Sequence, residues 1–67
     1  MPVVKIIELI GSSPDGWSEA AQNAVTEAAK TIKNIKSVHV KRCTAKVVDN
    51  KLVEYSANVK IAFIVKR

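Results

Sequence analysis

His39 and Cys43 are the only histidine and the only cysteine of the chain, and they are the residues most readily imagined doing chemistry. An imidazole titrates near neutrality and can act as a general base or a metal ligand. A thiol next to Lys41 and Arg42 is biased toward its nucleophilic thiolate. Neither has the company such chemistry needs. The strand pairing developed below gives His39 the neighbours Lys41 and Lys60 and no carboxylate, which favours a polar-face histidine at a subunit contact. Cys43 lies four positions further along the same strand and reads as a small, half-buried residue. One Cys and one His can build neither an intramolecular disulfide nor a Cys/His zinc site. The six acids, Glu8, Asp15, Glu19, Glu27, Asp49 and Glu54, lack the spacing of a calcium loop and could converge only across chains. Gly11 and Gly16 do not make a phosphate-cradling motif and read as turn residues.

Eleven Lys and Arg against six Asp and Glu give a net charge of +5, which permits an anionic partner. Lys41-Arg42, Lys46, Lys60 and Lys66-Arg67 invite a nucleic-acid reading, since neutralising phosphates needs only clustered cations. Two features oppose it. The exposed helix face carries Glu19 and Glu27 among neutral groups. The three aromatics, Trp17, Tyr55 and Phe63, lie on faces turned toward a core and leave no platform for stacking bases. A solvated basic surface is the reading that stands, with no nucleic acid as partner.

The elements that must position these residues follow from hydrophobic period. Val3–Ile10 (VVKIIELI) is short and β-branched, so it predicts a strand ended by the turn-rich run Gly11–Gly16. Trp17, Ala20, Ala21, Ala24, Val25, Ala28 and Ile32 recur at helical spacing and predict a helix over Trp17–Lys33. Ser13 (with Pro14 in the first turn) and Asp15 are alternative caps for it, and Asn34 a left-handed terminator. Four alanines on the covered face let the helix axis lie close to its sheet. Lys36–Val48 and Leu52–Val65 predict two strands around an Asp49-Asn50 hairpin turn. In the last strand the odd positions Val53 to Val65 are apolar, while Glu54, Ser56, Asn58 and Lys60 alternate with them.

Pairing Val48 with Lys51 puts Val38 opposite Ile61 and Val40 opposite Val59 on the helix-covered face. The other face then receives Ser37, His39, Lys41 and Cys43 with Ser56, Asn58, Lys60 and Ala62. A crossover from the first strand through the helix leaves a gap for the last strand. The expected fold is therefore α+β: β-α-β-β, a three-stranded antiparallel sheet of order 1-3-2 partly wrapped around one helix, with residues 1–67 as a single domain.

Assembly follows from length. A single core in a chain below ~70 residues supplies only about 3–5 kcal/mol of net stability, and disulfides and zinc are not available here. The helix would span about 25 Å, the last strand about 44 Å. One helix cannot cover that sheet, so neighbouring subunits must. No apolar run reaches the ~18 residues of a membrane span, and no secretory leader is recognisable, which points to the cytoplasm and to no membrane partner.

Met1-Pro2 followed by β-branched residues resembles the start of the small tautomerases, which share the chain's length and β-α-β order. That resemblance implies Pro2 as a general base once Met1 is removed. It is confined to the first strand and the element order, and the long alternating last strand departs from it. A fuller resemblance is to the dodecins. It rests on KIIELIGSSPDGWSEAAQNAV, then NIKSVHV, then VEYSANVKIAF, in that order and spacing over nearly the whole chain. The resemblance implies a hollow dodecameric homo-oligomer that binds or stores flavin (FMN or riboflavin) without catalysing a reaction. It also implies the site positions. The flavin-stacking tryptophan falls at Ser37 and the glutamine for the pyrimidine edge at Ser56. A seryl side chain offers no ring face, so the chain resembles the branch that lacks flavin, some members of which bind calcium.

Overall fold

The computed structural model describes residues 3–65. Strand β1 (Val3–Ser13) leads into helix α1 (Trp17–Ala29), followed by β2 (Ile35–Val48) and β3 (Lys51–Val65). The sheet is antiparallel in both pairings and ordered β1-β3-β2, as the crossover argument requires. β3 is central because both of its faces carry a regular pattern.

One face of β3 makes the core. Ala57, Val59 and Ile61 are buried against Ala20, Ala24 and Ala28 of α1, with Ile7, Leu9, Val25, Ile32 and Ile35 packed around them. Alanine on the helix permits the close approach, and Gly11 completes it. A Cβ on Gly11 would meet the Cβ and main-chain nitrogen of Ala24 at 3.0 Å, and would press still closer on the Ala20 carbonyl.

β1 runs three residues beyond the expected strand, through Gly11, Ser12 and Ser13. Its pairing partners account for this: Gly11, Ser12 and Ser13 face Ala57, Ser56 and Tyr55, so ladder bonds override the turn preference of the residues. Neither Ser13 nor Asp15 caps the helix. Gly16 holds the N-cap position without a side-chain bond, and Ser13 Oγ instead accepts the Asp15 N–H at 3.0 Å to close the turn before it. The helix also stops earlier than its apolar stripe, at Ala29 rather than Lys33. There the N–H groups of Lys30 and Thr31 donate to Glu27 and Ala28, both at 3.2 Å, tightening the last turn. Asn34 takes the expected left-handed conformation, with φ 66°.

Asp49 and Asn50, with φ 53° and 64°, form the hairpin turn, and both signs match the type I′ turn that suits twisted strands. The register starts as expected, with Val48 on Lys51, and ends as expected, with Val40 on Val59 and Val38 on Ile61. Between these points it slips by one. Cys43 pairs with Ala57 and Thr44 with Ser56, so Cys43 lies on the helix side of the sheet and not on the polar face. The slip is opened by an irregularity between Lys46 and Val47 and closed by another between Val40 and Arg42, which leaves Lys41 as the extra residue on β2.

The length mismatch is larger than the sequence implies. The chain measures 52 × 19 × 12 Å, against about 20 Å for a helix of this length. Val47, Val48, Leu52 and Val53 at the hairpin end are exposed, as are Val4, Ile6 and Ile10 along β1. No helix is long and apolar enough to cross a membrane among the described residues.

Candidate functional site on the open sheet face

The face of the sheet away from α1 is built from rows, one residue per strand. Because side chains alternate along a strand, rows on one face are spaced by two residues, about 6.8 Å. The first row is Ile6, Ala62 and Ser37. The next is Glu8, Lys60 and His39, followed by Ile10, Asn58 and Arg42, and then by Ser12, Ser56 and Thr44.

Ser37 is exposed at the β2 edge, beside Ala62. Ser56 is half-buried on the central strand, its hydroxyl 3.4 Å from that of Ser12. Six residues of β3 separate the two rows, a distance of about 20 Å. Ser37 and Ser56 therefore share a face without meeting in one chain. No aromatic ring stands in for the absent one. Trp17 is on the helix side, where its indole N–H donates to the Thr44 carbonyl at 2.8 Å and its ring meets Tyr55 edge-on at 4.8 Å. Ser37 itself is flanked by neither.

A carboxylate stands closer to His39 than the sequence suggests. Glu8 is in the same row with only Lys60 between them, a consequence of the β1–β3 register. Lys41 Nζ reaches Glu8 Oε2 at 3.5 Å. Asn58 hydrogen bonding, followed by the positive charge of Lys41, holds the Glu8 carboxyl below the usual range. The Oδ1 of Asn58 is shielded from solvent and has no hydrogen-bond partner among the described residues. Cys43 is exposed and unbridged, and its strand pairing places it away from this cluster. His39 and Cys43 thus point to different faces, which removes the remaining basis for pairing them in catalysis.

The donor set of one chain does not fit a calcium ion. No group of three His, Cys, Asp or Glu side chains gathers among the described residues, and Glu8 is already engaged by Lys41. Nor do the residues around Ser37 fit an isoalloxazine ring, which needs an aromatic face on which to stack. Pro2, the base implied by the tautomerase resemblance, lies outside the described residues.

Comparison with known proteins agrees with this geometry. The family model described as Dodecin matches residues 3–66, so the chain belongs to the dodecin family. A "Calcium dodecin" of Mycobacterium tuberculosis is 40% identical over 40 residues, a match that takes in 60% of this chain and spans 56% of the length of that relative. The dodecin of Streptomyces coelicolor superposes with a TM-score of 0.93 at 26% identity, covering 98% of this chain and 94% of that one. An arginine-to-alanine variant of the T. thermophilus dodecin superposes with a TM-score of 0.95 at 27% identity, covering 100% of both chains. The tautomerase resemblance finds no support in these matches.

Proposed function

We propose that the chain is the single-domain subunit of a dodecin-type homo-oligomer, most simply a dodecamer, that binds or stores a small ligand without catalysing its conversion. The observation that carries this reading is the mismatch between a 13-residue helix and a 15-residue central strand. It leaves apolar side chains such as Ile6, Ile10, Val47 and Leu52 exposed in one chain. Burying them between subunits supplies the stability that a small core lacks, at about 25 cal/mol per Å² of apolar surface. We place the protein in the cytoplasm, whose reducing conditions suit its one exposed, unbridged cysteine, Cys43.

The ligand in this reading is not flavin. Ser37 supplies no ring face and Ser56 no amide, and the aromatic pair Trp17–Tyr55 is committed to the other side of the sheet. Calcium is the second reading, favoured by the name of the Mycobacterium tuberculosis relative. It requires carboxylates from several chains, since one chain does not assemble a donor set. Sedimentation velocity at dilute concentration tests the assembly: the expected species is a single high-order oligomer, and a stable folded monomer overturns it. Elemental analysis of the same purified material tests the calcium reading.

A further inference from the structure

We propose that His39 makes the association of subunits sensitive to acid. Neutral, it is tolerated beneath a neighbouring copy of the chain; protonated, it loosens that contact. This rests on the reading of the chain as a homo-oligomer subunit and adds how that assembly is regulated.

Ile6 and Ile10 are 61% and 70% exposed in one chain, and assembly is expected to bury such side chains. They stand in the rows on either side of Glu8, Lys60 and His39. A neighbour that covers both isoleucines therefore lies over the row between them. His39 is two strands from Glu8, about 10 Å away. A contact patch of standard size, about 800 Å² per partner, is roughly 28 Å across. The chain measures only 19 Å in its second dimension. The patch that takes in Ile6 and Ile10 takes in His39 as well.

The charges around His39 decide the sign. Lys60 pairs with it on β3. On its own strand Lys36 precedes it, and Lys41 and Arg42 follow. The bulge brings both of the latter to the open face, where Lys41 Nζ reaches Glu8 at 3.5 Å and Arg42 shares a row with Asn58. β1 contributes Glu8, the one carboxylate of these rows, which already answers Lys41 and lies beside Lys60. Helix α1 packs on the opposite face of the sheet and adds no charge here. His39 makes no ion pair among the described residues. A neutral imidazole can lose its water beneath a neighbour at modest cost. An imidazolium there is one more cation among Lys41, Arg42 and Lys60, and a buried charge without a partner is costly. The separated subunit therefore takes up the proton more readily than the assembled one, and assembly weakens as pH falls.

The pH window singles out this residue. Imidazole is the side chain that changes charge between pH 8 and 5, and the chain has one. Glu8 stays ionised across that window, because Asn58 hydrogen bonding and the positive charge of Lys41 hold its carboxyl below the usual range.

The test is urea-induced dissociation of the intact oligomer, followed by sedimentation velocity at one subunit concentration and compared at pH 7.5 and pH 5.5. The dissociation midpoint of the unmodified protein should shift to lower urea at pH 5.5. His39→Gln, which stays neutral, should give the same midpoint at both values. His39→Lys, which stays charged, should give the lower midpoint at both. Lys60→Gln removes the adjoining cation and should shrink the shift. A midpoint of the unmodified protein that is indifferent to pH overturns the proposal, as does an equal shift in His39→Gln. Failure of His39→Gln to assemble at pH 7.5 overturns it too, since a neutral side chain is what the contact should accept. A folded monomer at both pH values without urea overturns the homo-oligomer reading itself, whereas an oligomer indifferent to pH overturns only the role given to His39.

Discussion

The indole N–H of Trp17 donates to the main-chain carbonyl of Thr44 across 2.8 Å, tying the first turn of α1 to an edge strand 27 residues away. The same ring meets Tyr55 of the central strand at 75°, an edge-to-face contact. One side chain thus joins the helix to two strands beyond the reach of the alanine core. It also explains why the chain's one tryptophan cannot serve the opposite face.

Trp17→Phe should keep the ring contact and lose the hydrogen bond. The expected cost is about 1 kcal/mol, the usual net value of one such bond. Chemical denaturation compared at equal subunit concentration measures it. No change in midpoint would mean that the Thr44 carbonyl is served equally well by water.

Gly11→Ala should be far more disruptive than its single added methyl suggests. The new Cβ would meet backbone atoms of Ala20 and Ala24, which cannot swing away as a flexible side chain can. Overpacking of this kind costs about 1–3 kcal/mol, and the top of that range is expected here. A variant with unaltered thermal stability would show that α1 can lift from β1 without penalty.

These two positions also show how the sequence encodes the fold unevenly. Period-two alternation in β3 and the Asp49-Asn50 turn were enough to set strand order and most of the pairing, because both are local signals. Ala20, Ala24 and Ala28 were legible as the helix's covered face for the same reason. The slip that moves Cys43 to the helix side was not. It depends on two irregularities that cancel, so the hydrophobic pattern at either end is unchanged. The extension of β1 through Gly11 and Ser13 was hidden as well, since turn-forming residues become strand only when a partner strand is present. On the open face, Ser37 and Ser56 could be placed from pattern and resemblance. Glu8 could not be brought beside Lys60 and Lys41 without the β1–β3 register, and Arg42 could not be assigned to that face without the bulge.

Acid should weaken the contact between Glu8 and Lys41. The Asn58 hydrogen bond and the Lys41 charge lower the Glu8 pKa from 4.5 in the folded chain. A carboxylate with a depressed folded pKa contributes stability above its unfolded pKa, and that contribution is lost as pH falls through the folded value. Glu8→Gln should therefore flatten the dependence of stability on pH below about 4.5 and leave a small deficit near neutrality. Denaturation midpoints across pH 3 to 7 give the comparison. Parallel pH profiles for the two proteins would remove Glu8 from the account.

The absence of a stacking ring at Ser37 is most directly tested by fluorescence titration with riboflavin and FMN. The unmodified protein should leave flavin emission nearly unquenched, and Ser37→Trp with Ser56→Gln should restore binding. An aromatic face contributes about 0.5–1.5 kcal/mol beyond burial alone, and the glutamine amide both donates to and accepts from the pyrimidine edge. Submicromolar quenching by the unmodified protein would contradict the account, because other residues would then be supplying the stack.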